Sequence, residues 1–309
     1  MVGQGRGSAS ECISCMLRSV NPEELPAEVL HDVVRAVEAE VTLLSRLPGG
    51  VNAGAMRVQV AGRADAVLKA VPRRHSDLLH ETLRAQRVVE HMRGRGYPTP
   101  AWLGVGATAT HVWHLMDFVD AVPARELTTS LVEQLMQINE LQAGQAGEPH
   151  DHWRYAWRVA TAQDATVAGL SGYSSAVSVL VERLFLACAN LPPPPRAPDM
   201  VHADLNPSNV LTCDGVVVAV VDIGNAGSGT RATDLVTLQW HTFQDPLDGV
   251  RSRLWTEILD LVGWDWAAAL VATQILLQLE WRIGLARGDA VAEVVERGHV
   301  AFDELDARR

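Results

Sequence analysis

The chain has 309 residues, room for about two domains of roughly 150 each, and its 48% apolar and 20% charged content suits a globular protein with a sizeable core. Twenty-six basic against thirty-seven acidic side chains leave a net charge of −11. That balance argues against a general DNA or RNA binder, which needs a basic face against phosphates, and favours cationic ligands.

The basic residues are 25 Arg and one Lys, Lys69, so chemistry that requires an ammonium has a single candidate. In chain order, residues 1–10 are rich in Gly and Ser with no apolar run. No signal peptide is visible, and residues 1–20 are expected to be flexible. Cys12 and Cys15 form a C-x-x-C without a second Cys/His pair at zinc-ligand spacing. With Cys188 and Cys213 they are too few and too scattered for a disulfide framework, which points to a reducing cytoplasm. From Pro26 to Arg46 apolar residues recur at helical spacing: Val29, Val33, Val37, Val41 and Leu44. The Gly-rich stretch Leu47 to Gly54 follows. Met56-Val58-Val60 then alternates with Arg57 and Gln59, and Ala66 to Val71 reads as a second strand after a turn at Gly62. His75 to Arg93 returns to helical periodicity, ended by Gly94, Gly96, Pro98 and Pro100. Ala101–Val105 and His111–Phe118 read as two more strands.

From Arg125 onward the pattern is mostly helical, with segments near 126–143, 151–168 and 174–190 and a stiff connector at Pro192–Pro195. Short apolar runs at Met200-Val201, Val210-Leu211 and Val216–Val221 read as small strands between polar loops. The remainder, from about Ala232 to Leu305, is helical. Its tryptophans Trp240, Trp255, Trp264, Trp266 and Trp281 are expected to be mostly core. The stretch between Asp265 and Glu280, interrupted by Gln274 and Gln278, is too short for a bilayer core that needs about 20 residues, so no membrane span is expected.

The densest polar cluster in an apolar frame is His202-Ala203-Asp204-Leu205-Asn206-Pro207-Ser208-Asn209. Asp222 follows Asn209 by thirteen residues, at the end of an apolar run. Polar groups held between strands are costly unless they bind something or satisfy one another. A carboxylate, a carboxamide five residues on and a second carboxylate after a strand suit a magnesium–phosphate site, because Mg²⁺ wants hard oxygen ligands and takes most of them from phosphate and water. The remaining carboxylate is placed to accept the proton of an attacking hydroxyl. His111, His114, His150 and His152 form no metal spacing and read as structural or surface residues.

This cluster resembles the H-G-D-x-x-x-x-N loop of the aminoglycoside phosphotransferases and their choline-kinase-like relatives. Val221-Asp222-Ile223-Gly224 resembles their second metal motif, Thr230 to Leu235 the following G-x-x-x-x-D-L segment, Gly49 to Gly54 their nucleotide loop, and Val67-Leu68-Lys69 their strand lysine. The motifs fall in family order across residues 47 to 235. The resemblance implies an α+β, bilobal, protein-kinase-like fold: a small N-terminal β-sheet lobe, residues 1–117, and a larger, mainly helical C-terminal lobe, residues 118–309. It implies a small-molecule kinase in which Asp204 deprotonates the acceptor hydroxyl while Asn209 and Asp222 hold Mg²⁺ on the phosphates of ATP or GTP. Gly49, Gly50, Asn52 and Gly54 would cradle the nucleotide and Lys69 would contact its α and β phosphates. Main chain around Met116 to Phe118 would receive the base. His202 and Asp234 would brace the loop. Ala203 stands where the family commonly has Gly, Asn206 where it has His or Gly, and Ile223 where it has an aromatic residue. The usual partner glutamate of the lysine falls on Ala85; Glu81, one turn earlier, is expected to take its place.

The family places its acceptor on the helical lobe, where Asp245, Asp248, Asp260, Asp265 and Glu280 are the candidate acidic contacts. An acidic, Trp-rich lobe suits a polycationic acceptor, so the expected substrate is a basic antibiotic, either an aminoglycoside or a tuberactinomycin-type cyclic peptide. Rival readings are a metabolite kinase acting on choline, a sugar or a hydroxyamino acid, a macrolide kinase, and a nucleotide-binding pseudokinase that serves as an interaction module. The expected protein is a monomer or homodimer that binds neither nucleic acid nor membrane.

Overall fold

A computed structural model of the chain describes residues 25–47, 54–147 and 149–309. Of these, 25–153 with 196–257 form one compact unit and 154–195 with 258–309 form the other. The expectations for residues 1–20, Cys12, Cys15, Gly49, Gly50 and Asn52 lie outside the described residues.

In the first unit, α1 (Ala27–Val37) is shorter than its apolar spacing predicts. Glu38 adopts φ 52, a left-handed conformation that ends the helix, and Val41–Arg46 becomes strand β1. Val41 and Leu44 therefore belong to a sheet and not to the helix. Strands β2 (Ala55–Val60), β3 (Ala66–Pro72), β4 (Trp102–Ala107) and β5 (His111–Asp117) complete an antiparallel five-stranded sheet in the order β1-β2-β3-β5-β4. Gly62, at φ 76, supplies the turn between β2 and β3.

Alternation along the strands divides the sheet into two faces. One carries Val58, Val60, Ala66, Leu68, Trp113 and Leu115, which pack with Val29 and Val33 of α1 into a buried cluster. The Trp113 indole N–H donates to Asp32 of α1 (2.9 Å). The opposite face carries Arg57, Val67, Lys69, His114 and Met116, paired as Arg57–Val67–Met116 and Ala55–Lys69–His114. Helix α2 (Leu78–Arg93) packs on β4 and β5 and buries Ala85, Val88, Val89 and Met92.

A short strand β6 (Val122–Pro123) pairs with β8 (Val210–Cys213), which pairs with β9 (Val216–Val220). Strand β7 (Asp199–Val201) pairs with β10 (Gly227–Gly229). Helices α3 (Thr129–Glu140), α4 (His152–Ala160), α5 (Ser175–Cys188) and α6 (Ala232–Trp240) follow the expected segments. The expected helix to 168 is cut to Ala160, and Ala165–Val167 forms a separate 3₁₀ turn capped by Asp164.

The final stretch forms α7 (Asp248–Gly284) and α8 (Gly288–Asp306). Helix α7 is interrupted at Gly263, whose φ of 71 and ψ of 172 are not helical. The apolar stretch judged too short to span a membrane is thus part of a 37-residue helix that is long and apolar enough to do so by length and composition. Half of its most apolar window is buried inside the protein, as in a core helix, and Ala267, Ala268, Ala269, Ala272, Ile275, Leu276 and Leu279 are fully buried. Trp240 and Trp255 are buried as expected; Trp264, Trp266 and Trp281 are only partly covered.

Candidate active site

The loop between β7 and β8 holds His202, Asp204, Asn206 and Asn209, and its shape is fixed from below by Asp234. One oxygen of that buried carboxylate accepts the His202 N–H (2.7 Å), and the other accepts the Ala203 N–H (2.8 Å). Gln142 donates to the same carboxylate (2.7 Å). Ala203 is thereby held at φ 68, where a Cβ is disfavoured by about 1–2 kcal/mol, at the position the family commonly fills with Gly. His202 spans the loop: its Nε2 faces the Val221 carbonyl (3.1 Å), and its Nδ1 accepts the Asp204 N–H (3.3 Å). The tautomer with hydrogen on Nε2 satisfies both. His202 and Asp234 thus make the hydrogen bonds expected of loop braces.

Asp204 is gripped by two carboxamides. Asn206 Nδ2 donates to its Oδ1 (2.6 Å), and Asn209 Nδ2 donates to its Oδ2 (2.8 Å) and to its main-chain oxygen (3.0 Å). Desolvation in the loop raises the Asp204 carboxyl above its ordinary value, and Asp222 adds to this; His202 and the two amides work the other way.

Asp222 follows β9 in a left-handed conformation, φ 63, and its Oδ1 meets Lys69 Nζ at 2.9 Å. The two residues are 153 apart in sequence. Desolvation works to raise the Asp222 carboxyl, but the charge and hydrogen bond of Lys69 outweigh it and hold the group below the usual carboxylate range.

The donor set fits a magnesium ion. Both hydrogens of the Asn209 amide turn toward Asp204, which leaves its Oδ1 as a hard oxygen donor, and Lys69 occupies only one oxygen of Asp222. Among the described residues there is no group of three His, Cys, Asp or Glu placed to hold a metal ion. Magnesium keeps several waters and takes only one or two protein oxygens beside substrate phosphates, a number that one amide oxygen and one carboxylate supply.

The structure departs from expectation at Glu81. Lys69 pairs with Asp222, and Glu81, in the first turn of α2, lies 3.9 Å from His75. The buried face of α2 begins at Arg84 and Ala85, and Glu81, one turn earlier, is half-exposed beside His75.

At the end of β5, Met116 is buried on the Lys69 face. The N–H of Asp117 donates to Ala101 (2.9 Å), and that of Phe118 donates to Asp65 (3.1 Å). The Arg57 guanidinium lies 4.0 Å from the centre of the Phe118 ring and pairs with Asp65 (2.6 Å). Gly54, the one residue of the expected nucleotide loop among the described glycines, faces the Arg46 guanidinium, which a Cβ would meet at 2.6 Å.

One residue of the site was missed in the sequence. His114 lies opposite Lys69 in the β3–β5 register and stacks on Trp102, with centroids 4.2 Å apart and planes 4° apart. Burial and then the Lys69 charge, against the pull of Asp222, bring it down to about 3, so it is neutral at physiological pH. Only the strand register brings it beside Lys69, and no spacing in the sequence signals that.

Of the acidic residues expected to touch an acceptor, Asp245 and Asp248 belong to the unit that holds Asp204, and Asp248 pairs with Arg251 (2.6 Å). Asp260 and Asp265 are exposed and Glu280 is buried in the other unit.

No curated protein matches the sequence. Among solved structures, a thermostable mutant of the aminoglycoside phosphotransferase APH(4)-Ia, in a ternary complex with ADP and hygromycin B, is similar at a TM-score of 0.66 and 17% identity, over 89% of this chain and 97% of that one. The macrolide 2'-phosphotransferase MphH from Brachybacterium faecium is similar at 0.57 and 15%, over 87% and 96%. A protein from Thermobifida fusca YX-ER1 described as a fructosamine-3-kinase is similar at 0.57 and 20%, over 91% and 100%. These likenesses establish the shared kinase-like fold. The model of the phosphotransferase enzyme family, APH, matches residues 44–270, and the chain belongs to that family.

Proposed function

We propose that this family member moves the γ-phosphoryl group of ATP or GTP to a hydroxyl of a small basic antibiotic. The observation that carries the reading is the convergence of Asp204, Asn209, Asp222 and Lys69 in one unit, with each carboxylate set in a different electrostatic state. Asp222, held ionised by Lys69, and the Asn209 amide oxygen would hold magnesium; bound there, the ion neutralises phosphate charge. Lys69 is then shared between Asp222 and the α and β phosphates. Asp204 accepts the hydrogen of the acceptor hydroxyl as the new O–P bond forms and the bond from the γ-phosphorus to the β–γ bridging oxygen breaks, releasing the nucleoside diphosphate.

The base edge would be read at the end of β5. Asp117 and Phe118 spend their N–H groups within the chain, whereas Val119 N–H forms no hydrogen bond among the described residues and is the donor proposed for the base. We propose the end of β5, between residues 117 and 118, as the boundary between nucleotide and acceptor lobes.

The basic-antibiotic reading is supported by the net charge of −11 and by the hygromycin B complex of a similar structure. Asp245 and Asp248 are the first acceptor contacts to test. The described free thiols, Cys188 and Cys213, suit a reducing cytoplasm. A macrolide or fructosamine-type acceptor is the second reading, favoured by the similarity to enzymes so described.

The test is an acceptor panel of aminoglycosides, basic cyclic peptides, macrolides, choline, sugars and glycated amines, with MgATP and MgGTP and a mass-spectrometric readout. A basic antibiotic heavier by one phosphate is the expected product. A product on a macrolide or a glycated amine alone transfers the assignment to the second reading. Nucleotide binding without any product on the panel overturns the basic-antibiotic reading and leaves a metabolite outside the panel or the pseudokinase reading.

A further inference from the structure

The identity of residue 206 exceeds what the loop geometry requires of it. Asn206 caps the 3₁₀ turn Pro207–Asn209: its Oδ1 accepts the Ser208 N–H (2.9 Å) and the Ser208 hydroxyl (2.5 Å). Capping of this kind is done as well by Asp, Ser or Thr. Asp has no donor and Ser or Thr has one oxygen for both roles, whereas Asn carries its acceptor and its N–H donors on separate atoms. With its oxygen committed to two Ser208 hydrogens, the amide plane is fixed and Nδ2 faces Asp204 Oδ1 at 2.6 Å. Asn209 holds the other oxygen from the opposite side (2.8 Å). Each carboxylate oxygen therefore takes one amide N–H, and rotation about the Asp204 Cβ–Cγ bond breaks both.

We propose that Asn206 is a positioning residue for Asp204: anchored by Ser208, it locks the carboxylate in the orientation that receives the acceptor proton. The inference rests on the reading of Asp204 as the general base. Asn206 touches no reacting atom. It raises the fraction of time the base spends in productive geometry, a contribution that appears in turnover and not in nucleotide affinity.

The test separates the cap from the donor. Asn206→Asp keeps the capping oxygen, removes the N–H and sets a second carboxylate beside Asp204, whereas Asn206→Ala removes oxygen and N–H without adding charge, so a loss of kcat common to both variants reports the missing N–H. Each is compared with the wild type by thermal melting and by steady-state release of ADP from MgATP, with water as the acceptor. Asp204→Asn is measured in parallel. Asn206→Asp is expected to melt near the wild-type temperature yet lose about tenfold or more in kcat, with KM for MgATP unchanged. Asn206→Ala is expected to lose a similar factor in kcat and some thermal stability as well. Wild-type kcat in Asn206→Asp, beside a collapsed Asp204→Asn, means that Asn206 only caps the turn, and the inference falls while the base assignment stands. A KM that rises in step with the fall in kcat places Asn206 on the nucleotide and also overturns it. Near-wild-type turnover in Asp204→Asn removes the base reading itself, and this inference with it.

Discussion

Lys69 is the only lysine in the chain, and its ammonium is already committed to Asp222 at 2.9 Å. Lys69→Ala should therefore do two things. It removes a cation from the phosphate site, and it leaves Asp222 without the partner that keeps its carboxyl low. The expected result is a KM for MgATP raised tenfold or more, on the order of 1.4 kcal/mol of lost binding, with the fold intact. Unchanged nucleotide kinetics would place the phosphate contact elsewhere. Ala203 offers a test in the opposite direction. Its φ of 68 is a conformation that glycine adopts without strain. Ala203→Gly should stabilise the protein by up to about 1 kcal/mol in urea unfolding, the relief of left-handed strain less the greater freedom of glycine in the unfolded chain. A loss of stability would show that the Cβ makes packing contacts worth more than the strain.

Among the elements, the pairing of β4 with β5 depends on absent side chains. A Cβ on Gly106 would lie 2.5 Å from the Trp113 ring, inside the buried cluster beneath α1. Gly106→Ala should cost about 1–3 kcal/mol by overpacking, read as a lower urea midpoint at unchanged m-value. Wild-type stability would mean that Trp113 repacks freely. Strands β2 to β5 and α2 were legible in the sequence because their patterns match their periods, and the loop 202–209 because its polar residues are consecutive. Three features were not. Val41 and Leu44 continue the spacing of α1 by coincidence, and only the left-handed Glu38 marks the break. The Lys69–Asp222 pair joins residues 153 apart. The place of His114 beside that pair, like the place of Glu81 beside His75, depends on sheet register and helix phase, which one-dimensional spacing does not fix.

At the scale of the whole molecule, buried neutral histidines tie stability to pH. His152, buried with Nε2 at the Asn225 carbonyl (2.9 Å), is brought down to about 3 by burial and then by His150. Its folded value lies below the unfolded value of about 6.5, so between about pH 6.5 and 3 the unfolded chain binds a proton that the folded chain refuses. Stability is thus present above that window and falls as pH drops through it, by as much as about 1.4 kcal/mol per pH unit from this one group. His152→Gln should flatten the slope of unfolding free energy against pH; an unchanged slope would assign the acid sensitivity to other groups.

The most direct test of the account is the rate of phosphoryl transfer by Asp204→Asn, on whichever acceptor the panel identifies, beside the affinity of that variant for MgATP. Loss of a positioned base predicts turnover lower by about 10²–10⁴-fold, with nucleotide affinity retained. Turnover near the wild-type rate would contradict the assignment of Asp204, and with it the chemistry built on this loop.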